Sequence, residues 1–243
     1  MKAGNFNEKG ELFMDYSRNE KYFRSKNTHF YAGLVMLVIG VALVILQLAF
    51  WLYYYFFMIG AALAVIGAIL AFVPQWSRSS DKDIDELISK EKDGYLKKKI
   101  SELELVNKLS PNADSVLIAG YDYDDSDALI KRGLDGKIRS SVYCISAVII
   151  TKKGIVTSKR KFSLVNNSDT EEIKEILFSE ADRAEMITHT VPFREGKNDT
   201  EIKTADFVIY SGETVAFRTP TAPNATVEST ASDIVALIKR SKA

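Results

Sequence analysis

Apolar and polar positions are unevenly divided along the chain. No Asp, Glu, Lys or Arg occurs between Lys26 and Arg78, whereas charged residues recur every few positions on either side. A soluble domain needs polar surface at short intervals, so an uncharged run of this length predicts a membrane segment. A hydrocarbon core of about 30 Å takes roughly 20 helical residues to cross, and the stretch from Phe30 to Val73 would form a single helix of about 66 Å. Two passes therefore fit, residues 30–50 and 54–73, joined by a very short turn, with Pro74 ending the second. Phe50, Trp51, Tyr53, Tyr54, Tyr55, Phe56 and Phe57 gather at the turn and Trp76 lies at the other end, where amphipathic rings suit the headgroup level. A cleaved signal peptide fits poorly, because residues 1–29 come first and are mostly polar.

After the apolar block the period becomes helical and then strand-like. Residues 77–110 place Ile84, Leu87, Ile88, Leu96, Ile100, Leu103 and Val106 at mostly three- and four-residue steps, which predicts one amphipathic linker helix, weakened at Gly94 and closed by Ser110 and Pro111. From residue 113 onward the chain predicts short strands. SVLIAGY (115–121) and VYCISAVIIT (142–151) are β-branched and aromatic, and a turn at Gly154 leads into IVTSKRKFSLV. TEEIKEI (170–176) reads as a helical piece. EMITHTVPF, TADFVIY and TVAFRT follow as strands, the last two joined at Ser211 and Gly212, and residues 226–240 form a terminal helix. The expected fold class is α+β: a two-helix transmembrane hairpin, a linker helix, and an antiparallel β-rich domain over 113–243.

Charge sets the orientation. Residues 1–78 hold seven Lys/Arg against four Asp/Glu, and 79–243 hold 25 against 28. Arg18, Lys21, Arg24 and Lys26 precede the first pass, Arg78 and Lys82 follow the second, and the connecting turn has none. Both flanks are thereby expected in the cytoplasm, as in a multi-pass protein of the inner or plasma membrane. Sequons at Asn166, Asn198 and Asn224 point the other way only if they are used. No basic footprint for nucleic acid exists. Gly60, Ala64 and Ala68 recur at intervals of four with Gly67 beside them, and Gly33 and Gly40 mark the first pass. Such residues permit close helix packing, and two readings stand: a homo-oligomer interface, or the ordinary Gly and Ala content of a span.

Catalytic chemistry finds no constellation. Cys144 is the single cysteine, His29 and His189 lie far apart, and no G-x-S-x-G, H-E-x-x-H or P-loop pattern occurs. The acidic run Asp122, Asp124, Asp125 and Asp127 invites a calcium reading, but a loop counted from Asp122 has Asp127 where Gly is needed and Gly133 where Glu is needed. It reads better as a loop capping a short helix near Ser126. No enzyme, metal or cofactor is expected. The three lysines 97–99 are suited to anionic headgroups or to a solvated helix face.

The hairpin around VIITKKGIVT, the stretch Ile176-Leu177-Phe178-Ser179-Glu180-Ala181, and the hairpin Ser211-Gly212-Glu213-Thr214-Val215-Ala216-Phe217 before the terminal helix resemble the bacterial pleckstrin-homology-like (GRAM-like) domains. The resemblance implies a partly open barrel capped by a helix, used as a binding module. By the same resemblance Lys152, Lys153, Lys159, Arg160 and Lys161 would hold an anionic lipid or small ligand. The expected function is that of a non-enzymatic membrane protein whose cytoplasmic domain binds a partner protein or ligand at the bilayer surface. A second expectation is a ligand-gated, membrane-perturbing effector, similar in architecture to the two-span β-barrel sensors of anti-phage defence.

Overall fold

The computed structural model describes residues 14–25, 28–50, 54–111, 113–195, 198–221 and 225–242. The chain forms two compact units that divide between Ile84 and Asp85.

The first unit holds three helices, α1 (Tyr16–Arg24), α2 (Thr28–Phe50) and α3 (Tyr54–Trp76). Asp15 caps α1, its side chain accepting from the Arg18 amide at 3.1 Å. Within the polar segment before the first apolar run there is thus an ordered helix. α3 passes through Pro74 and ends at Trp76, later than expected, because proline's fixed φ is itself helical and the last turn closes after it. α2 and α3 are long and apolar enough to cross a membrane, over His29–Ala49 and Tyr54–Val73. Their approach is backbone to backbone. A Cβ added at Gly40 would lie 2.6 Å from the Gly60 carbonyl and against the Ala64 amide; one at Gly33 would meet the Ala71 amide at 2.6 Å and the Gly67 carbonyl at 2.7 Å. These contacts run antiparallel, with one glycine per seven residues on each helix, a stripe that lets two helices touch along their length. Gly60, Ala64 and Gly67 therefore face α2 of the same chain, and Ala68 is half-buried. Outward, the hairpin presents Val35, Val38, Ile45, Leu48, Ile59, Val65 and Ile69, each more than half exposed.

The segments flanking the hairpin are tied together at its open end. The Ser79 amide donates to the Arg18 carbonyl at 3.2 Å, the Ser79 hydroxyl to Asn19 Oδ1 at 2.6 Å, and Tyr22 to Asp81 at 2.7 Å. The Arg18 guanidinium donates to the Arg78 carbonyl at 3.2 Å, and that of Arg78 to the Ser25 hydroxyl.

α4 (Asp81–Lys92) crosses the division between the units, and α5 (Tyr95–Glu102) and a single 3-10 turn (Val106–Lys108) follow in the second. The expected single linker helix is two helices, because Gly94 adopts φ 71°, which only glycine reaches without strain. The strands then run β1 (Val116–Tyr121), β2 (Ile130–Arg132), β3 (Ile138–Ser140), β4 (Val142–Ile150), β5 (Gly154–Ser163), β6 (Asp169–Leu177), β7 (Arg183–Glu195), β8 (Asn198–Ser211) and β9 (Thr214–Thr221), before α6 (Ala225–Lys242). They form a four-stranded antiparallel sheet β1-β4-β5-β6, a small hairpin β2-β3, and a three-stranded antiparallel sheet β7-β8-β9.

Three further features differ from the sequence pattern. TEEIKEI is the edge strand β6, paired with β5 from Gly154↔Leu177 to Phe162↔Asp169; its Glu and Lys residues favour a helix locally, but the open edge of β5 supplies a full ladder of hydrogen bonds, and the strand is exposed along most of its length. Residues near Ser126 form turns rather than a helix, held by Asp125 accepting from the Asp127 amide at 2.8 Å. The β2-β3 hairpin, with its turn at Gly136 in positive φ, had too few alternating residues to announce itself.

The main core lies between the sheets and α6. Ile118, Val148, Ile150, Ile155 and Ile176 come from the first sheet, Phe207, Ile209 and Phe217 from the second, and Val227, Ile234 and Ile238 from α6. All of β4 is buried, which explains its largely apolar sequence. Its outer side belongs to a layer joined by α5, where Tyr95 donates to Glu171 at 2.9 Å and lies 3.1 Å from the Ser158 hydroxyl. Lys99 pairs with Glu171 at 2.7 Å. Burial alone would raise the Glu171 carboxyl, yet the hydrogen bonds from Lys99, Ser158 and Tyr95 outweigh it and hold the group at about 2. On the same side Arg139, 1% exposed, bridges Asp85 of α4 and Asp135 of the β2-β3 turn.

Candidate functional site

A second, smaller apolar cluster positions the polar site. Val191 and Phe193 of β7 and Ile202 of β8 share one face of their ladder and pack against Tyr123, Ile130 and Ile138. Tyr123 also donates to the Ile138 carbonyl at 2.8 Å. This contact lays the β1-β2 connection and the β2-β3 hairpin over the β7-β8 ladder. His189 pairs with Thr204 and Ile187 with Asp206, so His189 and Asp206 occupy the covered face, and Asp124, next to Tyr123, is delivered to them. His189 Nε2 lies 2.8 Å from Asp124 Oδ2, and Nδ1 lies 3.5 Å from Asp206 Oδ2. Arg218 of β9 donates to Asp206 Oδ2 through Nε at 2.7 Å, with Nη2 at 2.5 Å, and Nη2 is 3.8 Å from Asp124.

Two more carboxylates of the acidic run are neutralised alongside. Lys161 pairs with Asp122 at 2.9 Å and Asp125 at 2.5 Å. Burial pulls the Lys161 ammonium down, but the two carboxylates more than compensate and hold it above the usual lysine range, while Lys161 holds Asp125 below the usual carboxylate range. The five basic residues singled out in the sequence do not converge. Lys152 and Lys153 occupy the β4-β5 turn, whereas Lys159, Arg160 and Lys161 lie in the far half of β5, roughly 20 Å along the strand. Arg160 points to the opposite face from its neighbours and is engaged by Glu91 at 2.7 Å and Asp169 at 2.7 Å. Lys159 donates to the Arg218 carbonyl at 2.9 Å, and Lys152 to that of Asn107 at 3.4 Å. An anionic ligand would have to displace carboxylates from Arg160 and Lys161.

No protein-family model, curated protein or solved structure matches the chain. Function therefore rests on the site itself. Cys144 is fully buried, and burial pushes its thiol up to about 12, the opposite of what a nucleophile needs. Sequence reasoning missed the Asp124, His189, Asp206 and Arg218 grouping because its members come from a loop and three strands. The only available signal was that strand periodicity places His189 on the same face as Val191 and Phe193; Asp206 joins them only through the β7-β8 register.

Proposed function

We propose that the chain is a membrane-anchored, non-enzymatic binding protein: α2 and α3 cross the bilayer, and the β-rich unit binds a partner protein or ligand on the cytoplasmic side. The observation that carries this reading is the outward face of the hairpin. Two helices apolar on all sides, with a glycine-lined contact between them and wide β-branched and leucine side chains outside, lose free energy in water and gain it in lipid. The ties between Arg18, Asn19 and Tyr22 and the residues after α3 support entry and exit on one side, and the Lys/Arg bias supports the cytoplasm. The four-stranded and three-stranded antiparallel sheets with a C-terminal helix support a pleckstrin-homology-like domain. Binding rather than catalysis is favoured because the single thiol is buried and protonated and each basic side chain of the far β5 segment already has a partner.

Alkaline carbonate extraction of cell membranes tests the anchor, with the full-length chain expected in the pellet; recovery in the supernatant would overturn it. Reporters fused after Lys242 should behave as cytoplasmic ones. A stable, non-toxic complex purified in mild detergent is expected from a binding module, whereas growth arrest with membrane depolarisation on overexpression would refute it in favour of a membrane-perturbing effector.

A further inference from the structure

We infer that Asp124, His189 and Asp206 form a binding site for a divalent transition-metal cation of the zinc class. Each residue offers one ligand atom, and the three atoms lie within 4.8 Å of one another. Zinc bonds of about 2.0–2.2 Å place tetrahedral ligand atoms roughly 3.5 Å apart, so the set has to draw in by about 1 Å. Asp124, on a connection with half its side chain exposed, supplies that movement. An imidazole with two carboxylates suits zinc, cobalt and their neighbours and disfavours calcium and magnesium, which prefer all-oxygen sites. Three protein ligands leave a fourth position for water or an external group.

A second observation points the same way. His189 Nδ1 is buried and has no hydrogen-bond partner among the described residues. Carboxylates only accept, so Nε2 must carry the proton that bonds Asp124; in a neutral ring Nδ1 then turns a lone pair toward the Asp206 carboxylate. A cation between Nδ1 and Asp206 converts that opposition into two bonds, and Asp124 completes the set by leaving Nε2–H, which is then free to face solvent. Arg218 is its rival, since it neutralises Asp206, but 54% of its side chain is exposed and it is able to swing into solvent. Metal and Arg218 therefore compete for one carboxylate. The site stands whether or not α2 and α3 cross a bilayer.

The test uses the full-length chain in mild detergent, stripped with chelator and titrated with Zn²⁺ against a chromophoric competitor, with Co²⁺ absorption as a second readout. The wild type should bind one equivalent. His189→Gln and Asp124→Asn should weaken binding roughly tenfold or more, and Arg218→Gln should tighten it; unaltered thermal unfolding of the metal-free variants checks their folding. Absence of stoichiometric Zn²⁺ or Co²⁺ binding, or wild-type affinity in His189→Gln, would overturn the site. Failure of Arg218→Gln to tighten binding would remove Asp206 from the ligand set and overturn it equally.

Discussion

Arg139→Met removes the charge from the largest fully buried side chain among the described residues of the second unit while keeping most of its bulk. Arg139 donates to Asp85 at 2.9 and 2.8 Å and to Asp135 at 2.9 and 2.7 Å, joining α4 to the β2-β3 turn. Breaking a fully buried pair by removing one partner costs about 3–5 kcal/mol. Here the carboxylates are 45% and 35% exposed, so they rehydrate once abandoned, and about 2–3 kcal/mol is expected instead. For a unit of this size that corresponds to a fall in Tm of roughly 5–10 °C. Thermal unfolding of the full-length chain in detergent, followed by circular dichroism, measures it, and hydrogen exchange should show lost protection in β2 and β3. Acid adds a signed check. Hydrogen bonds from Arg139 hold the Asp135 carboxyl at about 2, below its ordinary 3.8; this contribution is complete above about pH 4 and is lost as pH falls through about 2. The gap between wild type and variant should therefore narrow over that window. A Tm within 2 °C of wild type with unchanged exchange would refute the reasoning.

Gly40→Leu forces a side chain into the Gly60 carbonyl and the Ala64 amide, so the helices must separate by about 1 Å and lose a quarter to a half of each dispersion contact; faster thermal aggregation in detergent is expected, whereas Val38→Leu, on the exposed side, should match wild type. Cys144, with its thiol raised to about 12 by burial, should resist maleimide near neutral pH for hours and react within minutes in denaturant; equal rates would show that β4 opens freely. Gly154→Val meets the Ile176 carbonyl and Leu177 Cα and should expel the end of β6, read as lost exchange protection at Glu175–Leu177 with β4 protection retained.

Much of the architecture was legible because it depends on local composition. The uncharged stretch and its aromatic turn mark two apolar helices within a few residues of their ends, and Gly94, Gly154 and Gly212 punctuate the chain where the structure turns. Elements stabilised from outside were not legible. β6 has helix-forming residues and becomes a strand because the edge of β5 is free to pair with it; α1 is anchored by Arg78, Ser79 and Asp81, some sixty residues away. The glycine spacing illustrates both cases, since small residues were visible on each helix but the antiparallel register of 33 and 40 against 67 and 60 was not.

The linear chain by itself determined where apolar length suffices for two helices, where charge lies on either side, and where the central parts of β1, β4, β5, β7, β8 and β9 lie, since each follows from composition within a few turns of backbone. Only the tertiary structure decided which charges neutralise one another. Lys161 and Arg160 looked like an open basic patch until sheet register and the covering loop set carboxylates against them, and Asp124, His189, Asp206 and Arg218 became neighbours because a strand ladder and a small apolar cluster bring together positions that no local period connects.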